Sequence, residues 1–287
     1  MLLWMLIFLV LIVAVSSSFL WYRRWLDEKK LNERLKHAVD FLLIQYTPFL
    51  NFCCESPVYF PNRYWLVSDN LWAYAALENY YPNISHTIKI RLHELAETYN
   101  LPRNKDGLPI SYKHEAVIGD TVPIPFNVSI LYTLKNYTLE ELSPHPFLSL
   151  GTEIANSTTA IEDWENYTDL LLYASLSRYW EGNETGATAL FNEAKEMWDG
   201  KGLNDTVTKA NKTYSTYKLA LLLYASRVLN QPFPFKSELE STLWSMQRES
   251  DGGIITDYNY TDNSIIQIGD ANTETTSLTI IAYTYFP

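Results

Sequence analysis

Apolar positions along the chain follow two helical patterns that alternate. Four stretches are apolar almost all round: NLWAYAAL (70–77), DLLLYASL (169–176), ALLLYASR (220–227) and SLTIIAYT (277–284), with SILYTL (129–134) in the long gap after the first. Between them lie amphipathic stretches with one apolar stripe, for example from Leu31 to Tyr46 and from Ile84 to Tyr99. An all-round apolar helix is covered on both sides, whereas a narrow stripe indicates one wet face.

The spacing of the apolar stretches predicts the architecture. Their centres recur at intervals of about 50 residues, which suits a pair of helices with its loops. Broad-apolar helices that alternate with narrow-stripe helices predict an inner ring wrapped by an outer one. We therefore expect an all-α fold, an α/α toroid of about five helical hairpins. A plain α-solenoid is the alternative, since it also stacks helix pairs. GGIITDYNY is compatible with a short hairpin at most.

Three acidic, glycine-containing turns follow amphipathic stretches: NKDGLP (104–109), WDGKGLND (198–205) and ESDGGIITDY (249–258). Glycine supplies the positive φ that ends a helix, and Asp favours the adjoining turn. These turns mark where the chain leaves the outer layer for the inner one. Asn272 or Thr273 is then the candidate N-cap of the last inner helix.

The first 22 residues predict a membrane segment. MLLWMLIFLVLIVAV has no charged side chain, and SSSFLWY extends the apolar run to Tyr22, enough to span a bilayer. The alternative is a signal peptide cleaved near Ala14-Val15-Ser16. The chain thus divides into an anchor or signal (1–22) and a body (23–287).

Two patterns disagree about the side of the membrane. Arg23, Arg24, Lys29 and Lys30 favour a cytoplasmic body by the positive-inside rule. Nine Asn-x-Ser/Thr sequons, more than chance gives, favour an extracellular, glycosylated body; they are Asn83, Asn127, Asn136, Asn156, Asn166, Asn183, Asn204, Asn211 and Asn259. The sequons decide the prediction: a single-pass cell-membrane protein with its C-terminal body outside the cell.

Charge and composition exclude several functions. The formal net charge of −11 and pI of about 4.9 make nucleic acid an unsuitable partner, because phosphate binding needs a clustered basic surface. Cys53 and Cys54 are adjacent, so a disulfide framework is excluded. We predict no metal and no cofactor, since no HExxH, phosphate loop or nucleophile elbow occurs.

One segment resembles a known superfamily. Gln247-x-x-x-Asp251-Gly252-Gly253-Ile254 followed by NTETTSLTIIAY resembles the repeats of the terpenoid cyclase/prenyltransferase-like α/α toroids, an architecture shared by α/α-barrel glycan-processing enzymes. The resemblance covers residues 240–285 and implies the fold. The catalytic residues of the known members are missing: there is no DxDD run, no Asp/Cys/His zinc set and no Cys-Gly-Glu-Gln stretch.

Polar residues at the starts of the inner helices are the candidate site, because in a toroid these starts gather at one end of the ring. Carboxylates interleaved with aromatic rings suit carbohydrate, since rings stack on sugars and a carboxyl pair does acid/base work. The candidate catalytic residues are Asp69, Glu274 and Asp163. The candidate substrate-binding residues are Trp65, Asn70, Trp164, Tyr217, Lys218, Asp270 and Asn272. Helix capping is the competing explanation for each carboxylate.

Three functions follow in order. The first is a membrane-anchored, N-glycosylated extracellular protein that processes or binds carbohydrate in an acidic, aromatic-lined concavity, as a glycoside hydrolase, lyase or epimerase if it is an enzyme. The second is a non-catalytic cell-surface or envelope module. The third, a terpenoid cyclase-like lipid enzyme, rests on fold analogy alone. The expected partners are the membrane, through the N-terminal helix, and a glycan.

Overall fold

The structure, a computed structural model, describes residues 2–57, 64–137, 148–262 and 264–287. For residues 2–21, 24, 148 and 156–158 it describes the backbone only. The described helices are α1 (Leu2–Gln45), α2 (Val67–Leu77), α3 (Pro82–Thr98), α4 (Thr168–Trp180), α5 (Glu184–Glu196), α6 (Thr206–Asn211), α7 (Thr216–Val228), α8 (Lys236–Ser245) and α9 (Thr273–Thr284), with 3-10 helices at His114–Ile118 and Trp164–Asn166.

Four helices form the centre of the body. Helices α2, α4, α7 and α9 are buried on nearly every side. Helix α9 packs against α2 and α7, and α4 packs against α7. Helices α3, α5 and α8 pack against α2, α4 and α7 respectively, and each buries a single face. The sequence predicted these four central helices and their amphipathic neighbours correctly.

The prediction of an all-α toroid is wrong, because the chain is mixed α/β with 52% helix and 20% strand. The strands are β1 (Tyr46–Thr47), β2 (Phe52–Cys53), β3 (Tyr64–Leu66), β4 (Asn127–Tyr137), β5 (Leu148–Ala160), β6 (Tyr214–Ser215), β7 (Ile255–Thr261) and β8 (Ser264–Ala271). SILYTL, expected to be a central helix, lies in β4. Its Ile, Tyr and Thr residues favour strands, and six residues are too few for a helical period to show.

The strands form three sheets. Strands β1 and β2 make a small antiparallel pair. Strand β5 pairs with β3 in parallel and with β4 antiparallel, which gives the order β3-β5-β4. Strand β7 lies between β6 and β8 in a second antiparallel sheet. Strands β3, β6 and β8 lead directly into α2, α7 and α9, so the sheets position the starts of three central helices.

The membrane prediction is also contradicted. No helix within the described part of the chain is long and apolar enough to cross a membrane, which conflicts with a single-pass membrane protein, a signal-anchor and a body outside the cell. The predicted boundary after Tyr22 is absent, since α1 runs unbroken from Leu2 to Gln45. From residue 25 onward it carries charged residues on its exposed side and buries Leu35, Val39 and Leu42. The division at residue 22 stays a prediction, and nearly all of residues 1–22 lie outside the described side chains.

The acidic, glycine-containing turns have the predicted backbone. Gly107, Gly200 and Gly252 have φ values of 76°, 90° and 85°. An isolated antiparallel bridge closes each turn: Arg103 with Pro109, Trp198 with Leu203, and Gln247 with Ile254. The last turn lies against α1, where a Cβ on Gly252 would come within 2.0 Å of the His37 carbonyl oxygen. This turn is therefore structural.

Candidate functional site

Ionisable residues from six segments interact at the starts of the central helices. Asp169 lies in the first turn of α4, Lys218 in that of α7 and Glu274 in that of α9. The group, called here the helix-start cluster, comprises Glu55, Lys113, His114, Glu153, Asp169, Tyr173, Tyr217, Lys218 and Glu274. Its members reach one another through ion pairs, hydrogen bonds or electrostatic effects on their pKa values.

Two ion pairs border the solvent-accessible part of the cluster. Nε2 of His114 lies 3.2 Å from Oε1 of Glu274, and Nζ of Lys113 lies 3.3 Å from Oε2 of Glu153. The Glu274 and Glu153 side chains are 27% and 25% exposed, whereas that of His114 is only 3% exposed. Solvent therefore reaches both carboxylates, while the imidazole lies behind Glu274.

A third carboxyl group lies within electrostatic range of both. Glu55 follows β2, its Oε1 accepts a hydrogen bond from Asn272 Nδ2 at 3.1 Å, and its backbone oxygen accepts one from Thr273 N. Burial, and then the charge of Glu274, raise the pKa of Glu55 to about 7. Close to neutral pH, this carboxyl group is therefore protonated in a large fraction of molecules.

Glu153 has the opposite character. Burial favours its neutral form, but the charges of His114 and Lys113 outweigh burial and hold the pKa of Glu153 below its ordinary value. The negative charge of Glu153 in turn contributes to the raised pKa of Glu55. Two carboxyl groups whose environments move their pKa values apart are suited to act as an acid and a base.

A buried cation organises the far side of the cluster. Nζ of Lys218 lies 2.5 Å from Oδ2 of Asp205 and 3.6 Å from Oδ1 of Asp169. The hydroxyl of Tyr217 donates to Oδ2 of Asp169 at 2.8 Å. Asp205 also accepts from the backbone N–H of Thr168, so these contacts join the starts of α4, α6 and α7.

The predicted catalytic pair Asp69 and Glu274 is not joined by any contact in the described part of the chain. Asp69 is buried in the first turn of α2. Its Oδ1 accepts from the Ser68 hydroxyl at 3.4 Å, and its Oδ2 has no hydrogen-bond partner among the described residues. A catalytic role for Asp69 stays a prediction, whereas Glu274 lies in the cluster.

Asp163 and Trp164 lie outside the cluster. Asp163 is exposed, and its Oδ2 accepts from the Tyr167 hydroxyl at 3.5 Å. Trp164 is half-buried and packs edge-on against Phe126. Neither side chain has a described contact with the carboxyl groups of the cluster.

Trp65 and Asn70 hold the fold together. Trp65 is fully buried and donates from Nε1 to the Thr47 hydroxyl. Asn70 accepts from the backbone N–H of Cys53 at 2.7 Å and donates to the carbonyls of Cys53 and Leu66. Since no atom of either side chain reaches solvent, their contacts explain them as structural residues.

Asp270 and Asn272 also have structural partners. Asp270 accepts from Arg248 and from the Ser56 hydroxyl, both at 2.5 Å. Asn272 is the N-cap of α9, as the sequence predicted, and accepts from Thr275 N at 2.8 Å. Of the ten predicted catalytic or substrate-binding residues, Glu274, Tyr217 and Lys218 thus belong to the cluster, and Asn272 touches it through Glu55.

The sequons differ in exposure, and their use stays a prediction. Asn83, Asn136, Asn166, Asn183 and Asn211 are exposed, and Asn127, Asn204 and Asn259 are half-buried. The Asn156 side chain lies outside the described residues. Asn183 caps α5 by accepting from Gly186 N.

Cys53 and Cys54 are free, buried thiols. Within the described residues, no group of three or more His, Cys, Asp or Glu is arranged to hold a metal ion.

A comparison with protein-family models, with curated proteins and with solved structures finds no match for this chain. The resemblance to the terpenoid cyclase/prenyltransferase-like superfamily therefore rests on residues 240–285 alone, and the chemistry has to be argued from the site.

Sequence reasoning missed Glu55, Lys113, Glu153, Asp169 and Asp205. Glu55 and Glu153 come from the segment after β2 and from β5, and only the β3-β5 pairing and the loop geometry bring them to the helix starts. Asp169 had a usable signal, because it is an acidic residue in the first turn of a predicted central helix.

Proposed function

We propose that the protein is an enzyme that uses the helix-start cluster for general acid–base catalysis on a carbohydrate. The observation that supports it best is the group formed by Glu153, Glu274 and Glu55, two of which border solvent beside paired cations. In this proposal Glu55 is the acid, because it retains a proton near neutral pH. Glu153 is the carboxylate, because Lys113 and His114 keep it ionised.

The substrate class is argued from the surroundings of these carboxyl groups. Tyr217 lies at the cluster with its hydroxyl held by Asp169, and Tyr173 packs between the His114 ring and Trp72. Aromatic rings beside carboxyl groups suit the faces and hydroxyls of a sugar. Hydrolysis, elimination and epimerisation all need an acid and a base at this distance scale, so the reaction type is left to experiment.

The test is a panel of oligosaccharides offered to the purified full chain. Reducing ends, unsaturated products and epimers would be measured separately, because each identifies one reaction type. We expect turnover of at least one member, lost in Glu153→Gln. Absence of turnover together with absence of saturable binding across the panel would contradict the proposal.

A non-catalytic carbohydrate-binding module is the second candidate. A cavity of about 720 Å3 between α1 and α8, lined by Arg34, Trp244 and Tyr283 among others, shares no residue with the cluster. Saturable binding without turnover, weakened by Trp244→Ala but not by Glu153→Gln, would favour this candidate. The lipid-cyclase alternative loses its basis, since it rested on a toroid fold that the structure contradicts.

A further inference from the structure

A continuous line of hydrogen-bonding groups runs from the solvent-accessible carboxyl group of Glu274 into the core. Oε1 of Glu274 lies 3.2 Å from Nε2 of His114, and Nδ1 of His114 lies 2.7 Å from the hydroxyl of Ser111. That hydroxyl lies 3.1 Å from Oε2 of Glu115. His114, Ser111 and Glu115 are each at most 4% exposed.

Part of this geometry has a local structural cause. Ser111 Oγ accepts from the backbone N–H of His114, and Glu115 Oε2 accepts from the backbone N–H of Ser111, both at 3.1 Å. Such a reciprocal arrangement stabilises the start of the 3-10 helix in the manner of a capping box. The cap requires neither the 2.7 Å contact with Nδ1 nor the contact of Nε2 with Glu274, so these two contacts call for another explanation.

The donors and acceptors allow two complete arrangements. A hydroxyl has one hydrogen and two lone pairs, and a neutral imidazole has one N–H. In the first arrangement Glu115 is ionised: Ser111 donates to Glu115, His114 donates from Nδ1 to Ser111, and a protonated Glu274 donates to Nε2. In the second, Glu115 is protonated and donates to Ser111, Ser111 donates to Nδ1, and Nε2–H donates to an ionised Glu274.

The two arrangements differ by the transfer of one proton. The Glu274 proton moves to Nε2, the Nδ1 proton moves to Ser111, and the Ser111 proton moves to Glu115. No atom other than hydrogen changes place, and the total number of protons is unchanged. Burial raises the pKa of Glu115 against the opposing effect of its hydrogen bonds, which makes it an acceptable holder of that proton.

We propose that Glu274, His114, Ser111 and Glu115 form a proton wire that sets the protonation state of Glu274. Glu115 is the buried end and Glu274 is the end that faces substrate. Ser111 and His114 are positioning residues, because they act through Glu274. The charged and titratable groups that face Glu274 from the neighbouring segments are Glu55, Lys113, Tyr173, Tyr217 and Asp257. The use of the wire in catalysis rests on the proposed function, but its existence does not.

The imidazole tautomer of His114 reports the state of the wire, and 15N NMR measures it. Glu115→Gln imitates the protonated acid and is expected to place the hydrogen on Nε2. Glu274→Gln imitates protonated Glu274 and is expected to place it on Nδ1. In a Ser111→Ala background the Glu115→Gln change is expected to have no effect on the tautomer, whereas Ser111→Thr, which keeps the hydroxyl, preserves the effect. Amide spectra show whether each variant is folded.

The outcomes separate the wire from the proposed function. The same tautomer in Glu115→Gln and Glu274→Gln, or an undiminished response in the Ser111→Ala background, would overturn the wire. If the tautomers switch as expected while Glu274→Gln leaves turnover unchanged, the wire stands and the role of Glu274 in catalysis fails. With both intact, kcat in Ser111→Ala falls ~10- to 100-fold, the usual contribution of a general acid or base, and Ser111→Thr recovers most of it.

Discussion

Nε2 of His114 lies 3.2 Å from Oε1 of Glu274, although 160 positions separate the two residues in the chain. This contact joins the 3-10 helix at 114–118 to the start of α9. It places a buried imidazole directly behind a carboxylate that solvent reaches. Around this pair the chain gathers Glu55, Lys113 and Glu153, so the site depends on contacts that are distant in sequence.

Glu55→Gln is expected to flatten the dependence of stability on pH. The pKa of Glu55 is raised from 4.5 to about 7, chiefly by burial. Between these values the folded state keeps a proton that the unfolded state releases, so the free energy of unfolding of the natural chain falls as pH rises through this window. At pH 8 we expect the variant to be more stable than the natural chain by ~1–3 kcal/mol, at about 1.4 kcal/mol per pKa unit.

Urea denaturation at pH 5 and pH 8 measures this effect. The control is Glu193→Gln, which changes an exposed carboxylate on α5. Equal changes in the free energy of unfolding between the two pH values for all three chains would show that Glu55 has an ordinary pKa.

Lys218→Met is expected to destabilise the chain by ~3–5 kcal/mol, because it removes the cation that Asp205 and Asp169 share and leaves buried negative charge. Lys218 is 3% exposed at its side chain, and its contacts join three helix starts. The matched control is Lys236→Met, since Lys236 forms an exposed pair with Glu240, and such pairs contribute less than ~1 kcal/mol. Similar losses for the two variants in chemical denaturation would contradict a central role for Lys218.

Gly252→Ala is expected to be far more damaging than Gly200→Ala. Both glycines have positive φ, which costs an alanine ~1–2 kcal/mol. A Cβ at Gly200 meets nothing within 4 Å, whereas one at Gly252 meets the backbone carbonyl of His37. The additional overpacking costs ~1–3 kcal/mol. Thermal unfolding of the two variants compares them directly, and equal shifts in Tm would show that the turn does not press against α1.

Asn70→Ala is expected to lower stability by ~2–4 kcal/mol, because it leaves the buried backbone groups of Cys53 without their side-chain partner. Its effect on turnover should be no larger than the loss of folded protein. A fall in kcat in fully folded Asn70→Ala would instead support the sequence-based prediction that Asn70 binds substrate.

The sequence predicted the helices well and the sheets poorly, for a physical reason. DLLLYASL and ALLLYASR are long enough and apolar enough for burial on all sides to show in the sequence. SILYTL is short, and its partner strand β5 is mostly polar, so no local pattern marks the β4-β5 pairing. The error removed the all-α class and concealed the strand that carries Glu153.

The site was predicted in part for the same reason. Glu274, Tyr217 and Lys218 lie at helix starts that the sequence located, so their convergence could be anticipated. Asp69, Asp163 and Asp270 look equivalent in the sequence, but the structure gives each a separate environment. Which helix-start carboxylates face one another depends on packing, which a single sequence does not display.

The measurement that tests the account most directly compares turnover by the natural chain, Glu153→Gln and Glu193→Gln on the best substrate of the oligosaccharide panel. Folding of each variant would be verified by thermal unfolding. The account predicts that Glu153→Gln lowers kcat ~100-fold or more while remaining folded, in the range of a lost general acid or base, and that Glu193→Gln is unchanged. Full turnover by folded Glu153→Gln would contradict the acid–base role of the helix-start cluster.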